Sequence, residues 1–200
     1  SQVYLKDNEV FSVDELLYAL MVQSANDAAV ALAIHYMGSK KVFVDLMNKR
    51  AEKIGMKDTV FHSVHGLPPG RGQKPDVSTP RDIAKLCLEL LKKPDALRYT
   101  STWRRPFRTE AEVPFLLENR NPLIKTMEGC DGLKTGFFWA AGCGQAPDLR
   151  FDQFVCNQRG LVILDKKPTT HFGQVLSIGS RCRDQKNRDS EQNGLLEHVA

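Results

Sequence analysis

The sequence predicts one mixed domain of helices and strands, on three observations. Residues 12–54 carry three successive helical patterns, punctuated by polar residues at 23–27 and by Gly38-Ser39. A fourth helix start, Thr79-Pro80-Arg81-Asp82, stands between extended stretches. The second half holds short apolar runs bounded by glycine. The clearest is Asp131-Gly132-Leu133-Lys134-Thr135-Gly136, followed by Phe137-Phe138, which reads as a short buried strand. Two hundred residues, 42% hydrophobic with ten Phe, are within the range of a single domain over residues 1–200.

In chain order, Gln2-Val3-Tyr4-Leu5 reads as an opening strand. Residue 1 is not Met and no signal-peptide pattern precedes the strand, so material upstream is expected. Ser12-Val13-Asp14-Glu15 is a capping box, and its helix runs through Leu16, Leu17, Leu20 and Met21. A second helix, 28–37, is apolar nearly all round and is expected to be buried. Gly38 ends it, and Ser39 caps a third helix, 40–54. That helix is amphipathic, with Val42, Phe43, Leu46, Met47 and Ile54 facing inward and Gly55 at its end.

Residues 56–64 look extended, and 67–77, rich in Pro, Gly, Lys and Arg, form an exposed loop. Thr79 as N-cap, Pro80 at N1 and Asp82 at N3 start a helix to about Leu91, with Pro94 as its stop. Residues 100–108 read as a strand, followed by a loop through Asn119-Arg120-Asn121. Beyond Gly142 the periodicity fades: 144–152 and 165–174 show none, 161–164 is a short strand, 181–193 is strongly polar, and Leu195-Leu196 borders a helix. There is no internal repeat.

Composition narrows the function classes. The net charge of +4 is spread among mixed charges, with no basic run interleaved with aromatics, so nucleic acid is not indicated. The longest apolar run, 28–34, is too short to span a bilayer. Five Cys, at 87, 130, 143, 156 and 182, are odd in number and lack metal spacing. Neither a disulfide framework, nor a metal, nor a cofactor is indicated.

Two stretches carry candidate chemistry. Ser24 and Asn26 lie at the junction of two apolar helices, where polar groups either line a cleft or simply cap the second helix. Lys134 and Thr135 set a cation beside a hydroxyl. On a strand they face opposite ways unless it twists, which Gly132 and Gly136 would permit while letting a ligand approach the backbone. His65 has no accompanying nucleophile motif and is expected to bond to loop backbone.

Taken in order, Ser-x-Asn followed by Asp-Gly-x-Lys-Thr-Gly resembles the serine DD-peptidases, most closely the D-alanyl-D-alanine carboxypeptidases, the low-molecular-mass penicillin-binding proteins. Ser24-Ala25-Asn26-Asp27-Ala28-Ala29, the segment 43–67 ending in His65-Gly66-Leu67, the Ser78-Thr79-Pro80-Arg81-Asp82 helix start and the region 119–142 all resemble that family. Residues 1–142 match it, 143–180 match poorly, and 181–200 weakly resemble its closing helix.

The resemblance implies an α+β fold of the β-lactamase/DD-peptidase kind, incomplete at its N-terminus: a helical part carrying Ser24, packed on an antiparallel sheet carrying Lys134, with the cleft between them. It implies a serine-type carboxypeptidase that acts on peptidoglycan D-Ala-D-Ala peptides through an acyl-enzyme, takes β-lactams as inhibitors and works outside the cytoplasm. Ser24 would pass a proton toward the leaving amine, and Asn26 would bond the substrate amide. Lys134 would supply positive field, and Lys134, Thr135 and Gly136 would hold the terminal carboxylate. Arg188, in a pattern like the family's closing Arg-x-x-Glu and Leu-Leu, would help bind that carboxylate.

The chain departs from the family in one chemical respect: none of its serines has Lys three residues on, so Ser-x-x-Lys, with its nucleophile and base, is absent from these 200 residues. Residues 144–174 also fail to match the strands expected after Lys-Thr-Gly. A class A β-lactamase relative and a non-catalytic muramyl-peptide binding module are the alternatives. Ser-Ala-Asn in place of Ser-Asp-Asn favours the carboxypeptidase over the first of these.

Overall fold

The computed structural model describes residues 1–136 except Pro94 and Val113, and beyond them the backbone of strands 151–157, 160–165 and 175–178. The chain divides into two compact units, residues 1–120 and 121–200.

In the first unit, α1 (Val13–Val22) opens with the expected capping box: the Glu15 N–H donates to Ser12 Oγ and the Ser12 N–H donates to the Glu15 carboxylate. The second helix, α2 (Asn26–Met37), closes on Gly38, whose φ of 71° only glycine adopts without strain. Ser39 caps α3 (Lys40–Lys53) through the Val42 N–H. Thr79 caps α4 (Pro80–Leu91) through the Asp82 N–H, with Pro80 in the first turn. A short turn of helix, α5 (Ala96–Thr100), precedes a two-stranded antiparallel ribbon, β1 (Arg104–Phe107) with β2 (Phe115–Glu118).

The core gathers Val3, Leu16, Tyr18, Ala19, Val22, Ala25, Ala28, Leu32, Phe107 and Leu117. Alanines 28, 29 and 33 of α2 are buried beside Leu32, so α2 presents a face of mostly small side chains, whereas α1 buries Leu16, Tyr18, Ala19 and Val22. Phe11 stacks on Phe107 at 4.8 Å between ring centroids, closing the ribbon over the helices.

Several expectations are corrected here. Residues 2–5 join no strand ladder; side chains hold them instead. The Val3 and Leu5 N–H groups donate to the Asp27 carboxylate, and Arg108 donates to the Val3 and Tyr4 carbonyls. The second helix is not buried all round: its inner face is Ala28, Ala29, Leu32 and Ala33, while Ile34 and Tyr36 are exposed. Val42 and Leu46 of α3 are likewise exposed, because Ala51 is the residue of that helix that the fold buries. The strand expected over 100–108 is only Arg104–Phe107, its first part being helical in α5. The loop expected before Asn119 contains β2, whose Phe-Leu-Leu-Glu lacks the alternation of a half-buried strand.

Between α3 and α4 the chain is extended and has one backbone bridge, Val60 to Val77. Apart from a few turn bonds, side chains supply the other hydrogen bonds. Asn48 offers its carboxamide to Phe61 as a strand neighbour would, accepting from the Phe61 N–H and donating to the Phe61 carbonyl, both at 2.8 Å. Asp82 is fully buried and accepts from the Asp58 N–H (2.8 Å), the Thr59 hydroxyl (2.9 Å) and the Lys85 ammonium (2.8 Å). Burial pushes this carboxyl up, but the bonds from Lys85, Asp58 and Thr59 prevail and hold it below its ordinary value.

In the second unit, the short helix α6 (Leu123–Thr126), not anticipated, leads to β3 (Cys130–Gly132). This strand is shorter than the one predicted: residues 133–136 lie outside it, and Phe137 and Phe138 lie outside the described residues. β3 heads an antiparallel sheet in the order β3, β4 (Phe151–Asn157), β5 (Gly160–Asp165), β6 (Val175–Ile178). β5 contains the strand expected at 161–164. β4 corrects the expectation of no strand there; Phe-Asp-Gln-Phe-Val-Cys-Asn has apolar residues at both parities, which hides a two-residue period. The segments 181–193 and 195–196 lie outside the described residues.

Two outcomes follow. Asp82→Ala removes the acceptor shared by the Asp58 N–H, the Thr59 hydroxyl and the half-buried Lys85 ammonium, and is expected to cost about 1–3 kcal/mol in urea unfolding. Breaking the exposed Arg50–Glu89 pair should cost less than about 1 kcal/mol. Equal losses would remove Asp82 from its structural role.

The second outcome concerns Glu9, whose carboxyl is lowered to about 2 from 4.5, chiefly by the Arg108 guanidinium and then by the Lys6 N–H. A lowered folded-state value means that its contribution is complete above the unfolded value and lost as pH falls toward the folded one. The Val3 and Tyr4 amide shifts are therefore expected to show a step below about pH 4 that Glu9→Gln abolishes. The same step in Glu9→Gln would assign it to another group.

Candidate functional site

Ser24 and Asn26 both belong to the first unit, at the turn between α1 and α2. The expected capping role is corrected: the N-cap of α2 is Ala25, and no side chain caps it. Instead, the turn is held by backbone and flanking residues. The Gln23 and Ala25 N–H groups both donate to the Ala19 carbonyl, closing α1, and the Asn26 N–H donates to the Ser1 carbonyl at 3.0 Å. From the ribbon side, the Arg120 N–H donates to the Val22 carbonyl and the Glu118 N–H to the Gln23 side chain.

Within this frame Ser24 has a φ of 59°, one of four positive-φ residues other than glycine among the described residues. An L-residue held left-handed costs on the order of 1–3 kcal/mol and persists only where its surroundings over-determine it. Ser24 is half-buried. Asn26 is also half-buried, and its carboxamide makes no hydrogen bond to any described residue.

Lys134, Thr135 and Gly136 belong to the second unit, directly after β3. Gly132 has a φ of 141°, and the β3–β4 register shifts between Cys130 and Gly132, so the backbone departs from a flat strand where glycine was expected to allow it. The Gly132 carbonyl accepts from the buried Asn121 carboxamide at 3.4 Å, and the Asn121 Oδ1 accepts from the Leu123 N–H. Leu133 is buried and anchors the segment. Lys134 and Thr135 are half-buried, Gly136 is exposed, and the Lys134 ammonium donates to the Thr135 carbonyl at 2.7 Å. Arg188 lies outside the described residues.

His65 is bonded to loop backbone: its Nδ1 accepts from the Leu67 N–H at 3.1 Å. It borders a groove of about 680 Å³ between α3 and the 60–76 loop, with Lys40, Asn48, Phe61, Leu67 and Lys74. None of the predicted site residues lines that groove. Two residues outside the predicted site set hold the N-terminal segment that the Ser24 turn bonds: Asp27, next to Asn26, through the Val3 and Leu5 N–H groups, and Arg108, which no motif marks, through the Val3 and Tyr4 carbonyls. Among the described residues no cluster of three or more His, Cys, Asp or Glu is placed to hold a metal ion.

The fold is that of the penicillin-binding proteins, mixed α and β with an antiparallel sheet. The structure is similar to penicillin-binding protein 6B of Escherichia coli, at a TM-score of 0.62 and 30% identity over 82% of this chain and 44% of that one. It is also similar to penicillin-binding protein D2 of Listeria monocytogenes in its ampicillin-bound form, at a TM-score of 0.60 and 28% identity over 84% of this chain and 60% of that one. The sequence profile of the D-alanyl-D-alanine carboxypeptidases matches residues 1–144, and the chain belongs to that family. It is 37% identical over 137 residues to D-alanyl-D-alanine carboxypeptidase DacF of Bacillus subtilis, covering 68% of this chain and 34% of that protein. The chain thus spans about a third of the length of the curated relatives it matches.

The bond to Nδ1 sets an outcome for His65. An imidazole that accepts at Nδ1 is held neutral, and desolvation lowers its pKa below 6.5, with nearby Asp76 opposing and Lys40 assisting. An NMR titration of the ring protons is expected to place His65 below that value, and Lys40→Met to raise it. An upward shift in the unaltered chain would remove the Leu67 bond from its assigned role.

Proposed function

We propose that this protein is a serine-type D-Ala-D-Ala carboxypeptidase of peptidoglycan stem peptides, working outside the cytoplasm through an acyl-enzyme. Its 200 residues supply substrate-binding and proton-handling groups, and the nucleophile belongs to a Ser-x-x-Lys that they do not contain. The observation that carries this reading is the α1–α2 turn, where a serine is held left-handed and is followed two residues on by a half-exposed carboxamide with no described partner. Strain of this kind concentrates where a side chain must be presented rather than packed.

On this reading Ser24 relays a proton to the leaving amine, and Asn26 bonds the peptide amide. Lys134 supplies a positive field and, with Thr135, Gly136 and Arg188, holds the terminal carboxylate of the substrate. Membership of the carboxypeptidase family and likeness to a protein seen with ampicillin support the substrate class and the β-lactam inhibitors.

One pair of measurements tests it. Intact mass after penicillin treatment of the 200-residue chain is expected to show no covalent adduct. In NMR titration, N-acetyl-D-Ala-D-Ala is expected to bind more tightly than its carboxamide by about tenfold or more, the worth of a charge-assisted bond. Lys134→Ala should erase that preference. A stoichiometric adduct on any serine would overturn the missing-nucleophile reading, and equal binding of the two ligands would overturn the carboxylate site.

A further inference from the structure

The five N-terminal residues lie across the first turn of α2, and their polar backbone groups are taken up by charged side chains on both sides. Asp27 is the second residue of α2. Its carboxylate accepts from the Val3 N–H (3.2 and 3.1 Å to its two oxygens), from the Leu5 N–H (3.1 Å) and from the Ala28 N–H of its own helix (3.1 Å). Arg108, at the end of β1, donates to the Val3 and Tyr4 carbonyls at 2.8 Å each and pairs with Glu9 through two nitrogens at 2.9 and 2.8 Å. The Ser1 carbonyl in turn accepts the Asn26 N–H. The side chain of Val3 is buried in the core.

Among the described residues, the positive-φ residues other than glycine are Tyr4, Asn8, Ser24 and Arg108. Three of these four sit in this one assembly: Tyr4 in the strap, Arg108 in its clamp, and Ser24 in the turn that the strap touches. Each conformation is disfavoured alone, so the bonds among these residues must sustain all three together. Asp27 is the side chain that connects them, because its carboxylate bonds both the strap and the helix that carries Asn26, beside the backbone bond from Asn26 to Ser1.

We propose that Asp27 is a positioning residue for Ser24 and Asn26. It acts through the strap of residues 1–5, which Arg108 clamps from the opposite side. Without the Asp27 carboxylate, the Val3 and Leu5 N–H groups lose their acceptor, the strap lifts, and the Asn26 N–H loses the Ser1 carbonyl. Ser24 is then released from its left-handed conformation, and the Asn26 carboxamide is no longer aimed. Substitution by Asn is disruptive as well, since an amide nitrogen replaces one acceptor among converging N–H groups. The inference rests on the reading of Ser24 and Asn26 as site residues, and its test separates the two.

The test is residue-resolved amide exchange on the 200-residue chain and its Asp27→Asn variant, with titration by N-acetyl-D-Ala-D-Ala. The Ala25 and Asn26 amides are expected to exchange faster by about tenfold or more in the variant, while Leu32 and Ala33, deeper in α2, stay protected. Peptide affinity should fall in the same variant. Unchanged exchange at Ala25 and Asn26 overturns the positioning role. So does a rise shared equally with Leu32 and Ala33, which marks general destabilisation. If Asp27→Asn fails to fold, Arg108→Lys keeps the charge, loses the fork that serves both carbonyls and Glu9, and is expected to give the same local signature. Asn26→Ala tests the underlying reading separately: unchanged peptide affinity there removes Asn26 from the site whatever the exchange at Ala25 shows.

Discussion

The left-handed backbone at Ser24 is the constraint on which the first unit depends. Two helices must both reach the same core, and the chain has only Gln23, Ser24 and Ala25 in which to turn between them. A turn that short leaves backbone N–H groups without helical partners. Ala19 takes the Gln23 and Ala25 N–H groups and Ser1 takes that of Asn26, while the end of the β1–β2 ribbon donates to the Val22 carbonyl and the Gln23 side chain. The same bonds that satisfy the polar backbone fix the direction in which Ser24 and Asn26 point. In this unit, stability and site geometry are one arrangement.

The segment between α3 and α4 shows a second way of meeting the same obligation. With one backbone bridge over some twenty residues, side chains replace the missing strand. Asn48 pairs with both polar groups of Phe61, Asp76 accepts from the His62 and Ser63 backbone, and Asp82 collects three donors in a fully buried position. A buried carboxylate is tolerable only when donors compensate its lost water. Asp82 has three, and the extended chain is thereby tied to α4.

In the second unit the buried Asn121 joins the turn before α6 to the Gly132 carbonyl, just ahead of Leu133 and Lys134. A buried carboxamide and a buried leucine thus bracket the start of the Lys-Thr-Gly segment. They leave Lys134 and Thr135 half-buried, with the lysine folded back onto the neighbouring carbonyl. Glycine at 132 is needed here for its φ of 141°, which a side chain would resist.

Much of this was legible in the sequence because it depends on neighbours. The Ser12–Glu15 capping box, the Gly38 stop, the Ser39 and Thr79 caps and the Pro80 start are settled within four residues of chain, and all stand in the structure where the sequence placed them. The family, too, was legible from Ser24-x-Asn26 and Asp131 to Gly136 taken in order. The misses have a common cause. The strap at residues 2–5, the ribbon strand at 115–118 and the exposed Val42 and Leu46 are decided by partners far along the chain, and local pattern carries no record of them. Asp27 shows the difference most plainly. By itself it is an acidic residue in the first turn of a helix, a position that favours it through the helix dipole alone. Only the tertiary structure brings Val3, Leu5 and Arg108 to it, across 24, 22 and 81 positions of sequence. The sequence by itself determined the four longer helices, α1 to α4, with their caps and stops, and which family the chain belongs to. The tertiary structure decided what holds the Ser24 turn, because a left-handed residue between two buried helices is sustained by long-range hydrogen bonds that no local rule contains.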